Sequence, residues 1–436
     1  MGVDVEAAAR HRQRIAWLVL GAFAFALRLA AALVTGSFHH PELYEYHTVA
    51  QSLAAGGGFV FFSHGGVPYY SLEAPLYPAL CALVYTLTHG SVAALLVLQM
   101  LAGSLTAVLI AAIGTRLFNR QAGLAGGILA ACHPGLIVYA SLKAHALTID
   151  ALSFCVVLWQ LLQWGRERSV RRSVWAGLAL GLSLLERPTA IAFLPAAAAW
   201  FFLTAAASER RAAVKQVVLL SACAFLVILP WTIRNTLIHR QLVFMRSTNW
   251  EVFWRGNNPS ATGHSYVAPE RLVLDTLPPE AVAQLHRLRD EMQQARWFRD
   301  RAFAFIRAHP AEFLLLTLKK WYYFWWFAPQ TGTLYPRAWL YGYQALYVMV
   351  LWLVVACARA VAIHGTSEQR QAVMLIGLML LALSLIQSLH YVEGRHRWVV
   401  EPFLLLLAGA PLARIGKALR ARGVTGVSVK ERAEAR

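Results

Sequence analysis

IAWLVLGAFAFALRLAAALVT (Ile15–Thr35), followed closely by HPELYEYH (His40–His47), decides how this chain is read. An apolar run long enough to cross a bilayer core of roughly 30 Å ends in a short loop that carries two carboxylates, Glu42 and Glu45. Acids are scarce in the chain, with 22 Asp and Glu against 40 Lys and Arg in 436 residues. A carboxylate beside a bilayer surface carries a desolvation cost that a purely structural loop seldom accepts without return. The pair therefore points to chemistry at a membrane boundary.

Working outward, 58% of the residues are hydrophobic, only 14% are charged, and the mean hydropathy is +0.50. Apolar runs recur along most of the chain, which is the pattern of an all-α polytopic membrane protein and not the alternation of a transmembrane barrel. The first run is long and has no small-residue cleavage site before the loop, so it is expected to remain as a span. Cys81, Cys132, Cys155, Cys223 and Cys357 stand singly in apolar stretches; their spacing suits neither a metal nor a disulfide framework.

The net charge of +18 is not a nucleic-acid footprint. Its cations fill short links: Arg10, Arg12 and Arg14; Arg116 and Arg120; Arg166, Arg168, Arg171 and Arg172; Arg210, Arg211 and Lys215; and a tail with Arg414, Lys417, Arg420, Arg422, Lys430 and Arg432. If these lie on the cytoplasmic side, spans must alternate between them. Ile15–Thr35, Val92–Gly114, Ala122–Tyr139, Ala146–Gln163, Val174–Leu185, Thr189–Leu203, Ala213–Ile233, Ala338–Ala358, Val373–Leu389 and Val399–Leu412 meet that demand. About ten crossings then put both termini inside. Parity leaves Pro75–Thr88 and Phe313–Phe327 outside, the latter with the Lys and aromatic make-up of an interfacial helix. A polar insert, 237–310, and a basic tail, 413–436, complete the single membrane domain.

This threading gathers the reactive side chains at the outer boundary. Glu42 and Glu45 lie in the first outer loop, Lys143, His145 and Asp150 at the second, and Arg187 in the tight turn Glu186-Arg187-Pro188. Arg234 and Asn235 end a span, Arg255 precedes Gly256-Asn257-Asn258, and Arg395 and Arg397 occupy the last loop with Glu393 and His396. Arginine forks suit a lipid phosphate, and a carboxylate suits removal of a proton from an attacking hydroxyl. Simpler readings stand beside these: Lys143 as a snorkelling headgroup contact, His145 as a helix cap, Arg234 as an end-cap. The loop histidines His39, His40 and His47 lack a metal-ligand spacing.

Several short motifs resemble the GT-C class of membrane glycosyltransferases, in the bacterial group related to protein O-mannosyltransferases and aminoarabinose transferases. They are Glu42 to Tyr46 with Gly56-Gly57-Gly58-Phe59, Glu73-Ala74-Pro75-Leu76-Tyr77-Pro78, Arg116-Leu117-Phe118, His133-Pro134, Leu185-Glu186-Arg187-Pro188, Pro230-Trp231-Thr232-Ile233-Arg234-Asn235, Gly256-Asn257-Asn258-Pro259, and Arg395-His396-Arg397 before Glu401-Pro402. The resemblance covers roughly Arg28 to Leu412. It implies a GT-C-like bundle of about ten to twelve membrane helices, with interfacial helices in the first outer loop and an outer polar insert. It also implies transfer of a sugar from a polyprenyl-phosphate donor to a hydroxyl acceptor on protein, lipid A or glycan, with inversion, at the periplasmic face of a bacterial inner membrane. Glu42 is then the expected base with Glu45 beside it, and His145 and Asp150 are second-loop candidates. Lys143, Arg187, Arg234, Arg255, Arg395 and Arg397 would hold the phosphate; Tyr46, His47, Asn257 and Asn258 would touch sugar or acceptor. The class usually has Asp where Glu42 stands and often an acid where His145 stands. A divalent metal is compatible with the class, but no ligand set is named by these residues. The rival readings are an inactive lipid-binding scaffold of the same fold and a lipid-linked sugar transporter; no internal symmetry favours the latter.

Overall fold

The computed structural model describes residues 2–332 and 336–434, with side chains at 8, 11–330 and 336–419. Arg10, Arg420, Arg422, Lys430 and Arg432 fall outside the described side chains. Eighteen helices follow in order: α1 (Gly2–Thr35), α2 (Glu45–Ala54), α3 (Leu76–Leu87), α4 (Val92–Leu117), α5 (Arg120–Cys132), α6 (Pro134–Ser141), α7 (Leu147–Glu167), α8 (Val170–Glu186), α9 (Phe193–Thr204), α10 (Arg210–His239), α11 (Asn249–Arg255), α12 (Pro279–Arg287), α13 (Glu291–Ala308), α14 (Pro310–Trp325), α15 (Arg337–His364), α16 (Ser367–Ser388), α17 (Gly394–Trp398) and α18 (Glu401–Glu434). Short strands β1 (Glu42–Leu43), β2 (Phe61–Ser63), β3 (Val67–Tyr69), β4 (Lys143–Ala144), β5 (Tyr266–Ala268) and β6 (Arg271–Leu272) pair two by two.

Among the described residues, seven helices are long and apolar enough to cross a membrane, or eight if the bent pair α5–α6 is one span. All ten apolar segments read from the sequence are helical, but α8 and the Pro188–Thr204 segment fall short of that length. The expected single span Ala122–Tyr139 is instead broken by 53°. Pro134 explains the break, because it brings no N–H to the preceding turn. His133 caps the new helix, its Nδ1 accepting from the Leu136 N–H at 3.2 Å. Arg28, buried in α1, donates to the Ala131 carbonyl at 3.3 Å and so supports the interrupted end of α5.

Lipid gives no hydrophobic drive between spans, so close backbone packing must hold them together. Small residues provide it where α5 is sandwiched between α4 and α18. A Cβ on Gly123 would lie 2.4 Å from the Ala111 carbonyl oxygen, and one on Gly409 would lie 2.4 Å from that of Ala122.

Polar links tie the loops at each end. At one end Arg168 pairs with Glu209 at 2.5 Å, Arg166 with Glu368 at 3.3 Å, and Gln369 donates to the Leu117 carbonyl at 2.8 Å. At the other end Ser37 donates to the Ser141 carbonyl at 2.9 Å, and β1 runs parallel to β4 with Glu42 opposite Lys143. The basic links therefore occupy the first end and the candidate site the second. The insert folds over this second end through α11, α12 and α13, with its own apolar cluster around Trp254, Val273, Leu285 and Phe298.

Candidate active site

Register places the first acid. Pairing of β1 with β4 sets the Glu42 carboxylate 2.6 Å from the Lys143 ammonium, and the Tyr44 hydroxyl donates to the same carboxylate. Burial pushes the Glu42 carboxyl up, but the hydrogen bonds from Lys143 and Tyr44 outweigh it and hold it below its usual range. Three residues on, α2 begins with Glu45, which has no ion pair among the described residues. Burial, and then the neighbouring Glu73 carboxylate, push the Glu45 carboxyl above its ordinary value.

Two cavities meet at this point. The larger, about 750 Å³, is lined by Glu45, Tyr46, Glu73, His145, Asp150, Glu186, Arg187, Arg246, Glu251 and His396, with apolar side chains such as Phe61, Leu72 and Phe244 between them. The smaller, about 410 Å³, combines Glu42, Lys143 and Glu393 with an apolar and aromatic wall from Pro134, Val138 and Tyr139 of α6 and Trp339, Leu340 and Tyr343 of α15. Glu45, Arg255, Tyr391 and Arg395 line both.

The charges in the larger cavity are paired. Arg187 holds Asp150 at 2.7 Å, Arg246 holds Glu73 at 3.0 Å, Arg395 holds Glu393 at 2.7 Å, and Arg255 holds Glu251, which also meets His64 at 3.1 Å. Two carboxyls in the wall have no such partner among the described residues, Glu45 and Glu186. His145 is a helix cap, its Nδ1 accepting from the Leu147 N–H at 3.0 Å. Burial and the nearby Arg395 push its ring well below the ordinary imidazole range, and its Nε2 lies 3.5 Å from the Arg395 guanidinium. Among the described residues, no group of three His, Cys, Asp or Glu side chains is placed to hold a metal ion.

Of the residues expected from the sequence, Glu42, Glu45, Tyr46, Lys143, His145, Asp150, Arg187, Arg255 and Arg395 line one cavity or both. Five line neither. Arg397 is 1% exposed and is held by Glu401 at 2.7 Å and by the Phe324 and Trp326 carbonyls, so it ties α17 to the end of α14. Arg234 lies over the Trp231 ring at 4.5 Å and donates to the Tyr70 carbonyl. His47 meets the Tyr85 hydroxyl at 2.9 Å, away from both cavities. Asn257 donates to the Phe253 and Leu389 carbonyls, both at 2.7 Å, and Asn258 donates to the Trp254 carbonyl at 2.8 Å. These asparagines secure the turn after Arg255.

Sequence reading missed Arg246 and Glu251 as site residues, because they lie in an insert that composition marks only as polar. It quoted Glu73, Glu186 and Glu393 within motifs or loops without giving them roles. Scarcity of acid was the available signal: in so basic a chain each outer carboxylate is a candidate.

Residues 72–233 match the family model of dolichyl-phosphate-mannose-protein mannosyltransferases. No curated protein sequence matches significantly. The oligosaccharyltransferase AglB of Archaeoglobus fulgidus, in complex with an inhibitory peptide and a dolichol-phosphate, is similar in structure, with a TM-score of 0.59 at 12% identity over 96% of this chain and 52% of that one. A structure of an Archaeoglobus fulgidus oligosaccharyltransferase with Zn and sulfate gives a TM-score of 0.59 at 14% identity over 95% of this chain and 51% of that one. This chain therefore spans about half the length of AglB. ArnT from Cupriavidus metallidurans, bound to undecaprenyl phosphate, is more distant, with a TM-score of 0.44 at 15% identity over 85% of this chain and 77% of that one. The mannosyltransferase family model thus matches residues 72–233, and the chain shares the fold of AglB over nearly its whole length.

Proposed function

We propose that the protein transfers a sugar from a polyprenyl-phosphate donor to a hydroxyl acceptor, with the donor phosphate in the smaller cavity and sugar and acceptor in the larger. The observation that carries this reading is the position of Glu45. It is an unpaired acid in the wall shared by both cavities, where a group that serves two substrates has to stand. Family match and shared fold support a lipid-linked donor, and AglB holds a dolichol-phosphate and a peptide together. The outer face of a bacterial plasma membrane, with both termini inside, is the setting that the basic links support.

In the reaction, the Glu45 carboxylate takes the proton of the acceptor hydroxyl as its oxygen forms a bond to the anomeric carbon. The bond from that carbon to the phosphate oxygen breaks, and its electron pair leaves with the polyprenyl phosphate. A single displacement of this kind inverts the anomeric centre. Lys143, Arg255 and Arg395 receive the growing charge on the leaving phosphate, and the α6–α15 wall holds the adjoining isoprenoid. Glu42 serves here as the counter-ion that aims Lys143. The roles that the resemblance implies are thus reordered, with Glu45 as base and Glu42 as support.

The test is transfer from a panel of radiolabelled polyprenyl-phosphate sugars to envelope acceptors, using purified protein in lipid vesicles. Wild type is expected to transfer one of them, and Glu45→Gln to lose about 10²–10⁴-fold in rate with donor binding intact, the range for removing a general base. Glu42→Gln is expected to weaken donor binding while retaining measurable transfer. Loss of transfer in Glu42→Gln with full activity in Glu45→Gln would return the base to Glu42.

A further inference from the structure

Lys320 is fully buried in α14 and lines neither cavity. Its ammonium donates to the Gly256 carbonyl at 3.1 Å and to Asn257 Oδ1 at 2.8 Å. No carboxylate pairs with it among the described residues, and burial pulls it down to about 7. A buried ammonium without a counter-ion is costly, so an apolar side chain of similar length would serve packing better. What the lysine supplies instead is reach. From α14 it grips the turn where the polar insert meets the last outer loop.

That turn is a joint of backbone against backbone. A Cβ on Gly256 would lie 2.5 Å from the His390 carbonyl carbon and 2.7 Å from the Tyr391 nitrogen, so no side chain fits between them. Asn257 ties three elements at once: Oδ1 accepts from Lys320, while Nδ2 donates to the Phe253 and Leu389 carbonyls. Further on, the Gly263 carbonyl accepts from the Val392 N–H at 2.9 Å, and a Cβ on Gly263 would meet the Lys320 stem at 3.3 Å. Arg255 and Tyr391 adjoin this joint, and they are two of the four residues that line both cavities. We propose that Lys320 is a positioning residue for the transfer, fixing Arg255 and Tyr391 in the shared wall without touching substrate. The role rests on the transferase reading, which places the donor phosphate against Arg255.

The probe is farnesyl phosphate, a short prenyl phosphate without sugar, titrated onto the full chain in lipid nanodiscs. Lys320→Met keeps the side chain's length and removes its N–H donors, and it is expected to weaken binding about tenfold. Arg255→Gln should weaken binding at least as much. In the double variant the two losses should not multiply, because Lys320 acts through Arg255. Losses that multiply in full, or unchanged affinity in a folded Lys320→Met, overturn the role. Trp321→Phe breaks a hydrogen bond from the same helix to Ser384 and should bind as wild type does. A like loss there overturns the assignment to Lys320. The wild type gives a reading that needs no variant to fold: bound farnesyl phosphate should slow amide exchange across residues 256–258 and 389–392. Unchanged exchange at saturation overturns the coupling of joint to site. Failure of the transferase reading looks different. Binding that depends on Lys320, with no transfer from any polyprenyl-phosphate sugar, sinks that reading and keeps Lys320 as the brace of a lipid-phosphate site. A wild type that does not bind the probe overturns both.

Discussion

Glu42 and Glu45 differ by three positions and by everything that matters for acid–base chemistry. Glu42 meets an ammonium at 2.6 Å, whereas Glu45 faces another carboxylate, Glu73, across a buried wall. A base must be ionised to act, and burial together with Glu73 raises the pH at which Glu45 ionises. Activity should therefore fall on acidification at a pH above the ordinary carboxylate range. Glu73→Gln removes a repelling charge and frees Arg246, so it should move the acid limb of kcat/KM to lower pH. A pH–rate profile of wild type and variant measures this, and an unmoved limb would assign it to another group. The sequence made both first-loop acids legible through their rarity, but not their division of labour. That division depends on Lys143, a hundred residues away, reaching Glu42 through the β1–β4 register. The same limit explains Arg397. As a residue type beside Arg395 it suits a phosphate, yet its partner lies one helical turn on, at Glu401.

Among the elements, the break between α5 and α6 and the α17–α18 corner are built together. Glu401 accepts from Arg397 and from the Tyr343 hydroxyl at 2.5 Å, and it also pairs with His133 at the break. Tyr343 accepts in turn from Arg397 at 3.1 Å and from Trp398. The cluster thus holds α6, α15 and α17, three walls of the smaller cavity, in register. Arg397→Ala should cost about 3–5 kcal/mol of stability, because it leaves a buried carboxylate short of its partner. Reversible unfolding in detergent measures that loss. Donor affinity in the surviving folded fraction should stay near wild type, which separates a brace from a phosphate ligand. Hydropathy reads Ala122–Tyr139 as one span because both halves are apolar. His133-Pro134 was visible as a motif, but a bend is set by the missing N–H and the supporting Arg28, which apolar runs do not register.

At the scale of the molecule, convergence of the loops that carry Glu42, Glu45, His145, Arg187 and Arg395 was legible, since alternating basic links set these loops at the opposite end. The partition of that end into two cavities was not, because it needs α6 and α15, far apart in sequence, to face one another. This partition makes a prediction that no single loop could. If the smaller cavity holds the lipid phosphate, filling it should harm the donor and spare the acceptor. Val138 lines only that cavity, on α6. Val138→Trp places an indole in a space of about 410 Å³ that does not include Glu186 or the Asp150–Arg187 and Glu73–Arg246 pairs, which line only the larger cavity. The donor KM should rise about tenfold, equivalent to ~1.4 kcal/mol, with the acceptor KM nearly unchanged. Steady-state kinetics with each substrate varied at saturating levels of the other decides the matter. A rise in the acceptor KM alone would exchange the two cavities, and with them the direction from which the hydroxyl approaches Glu45.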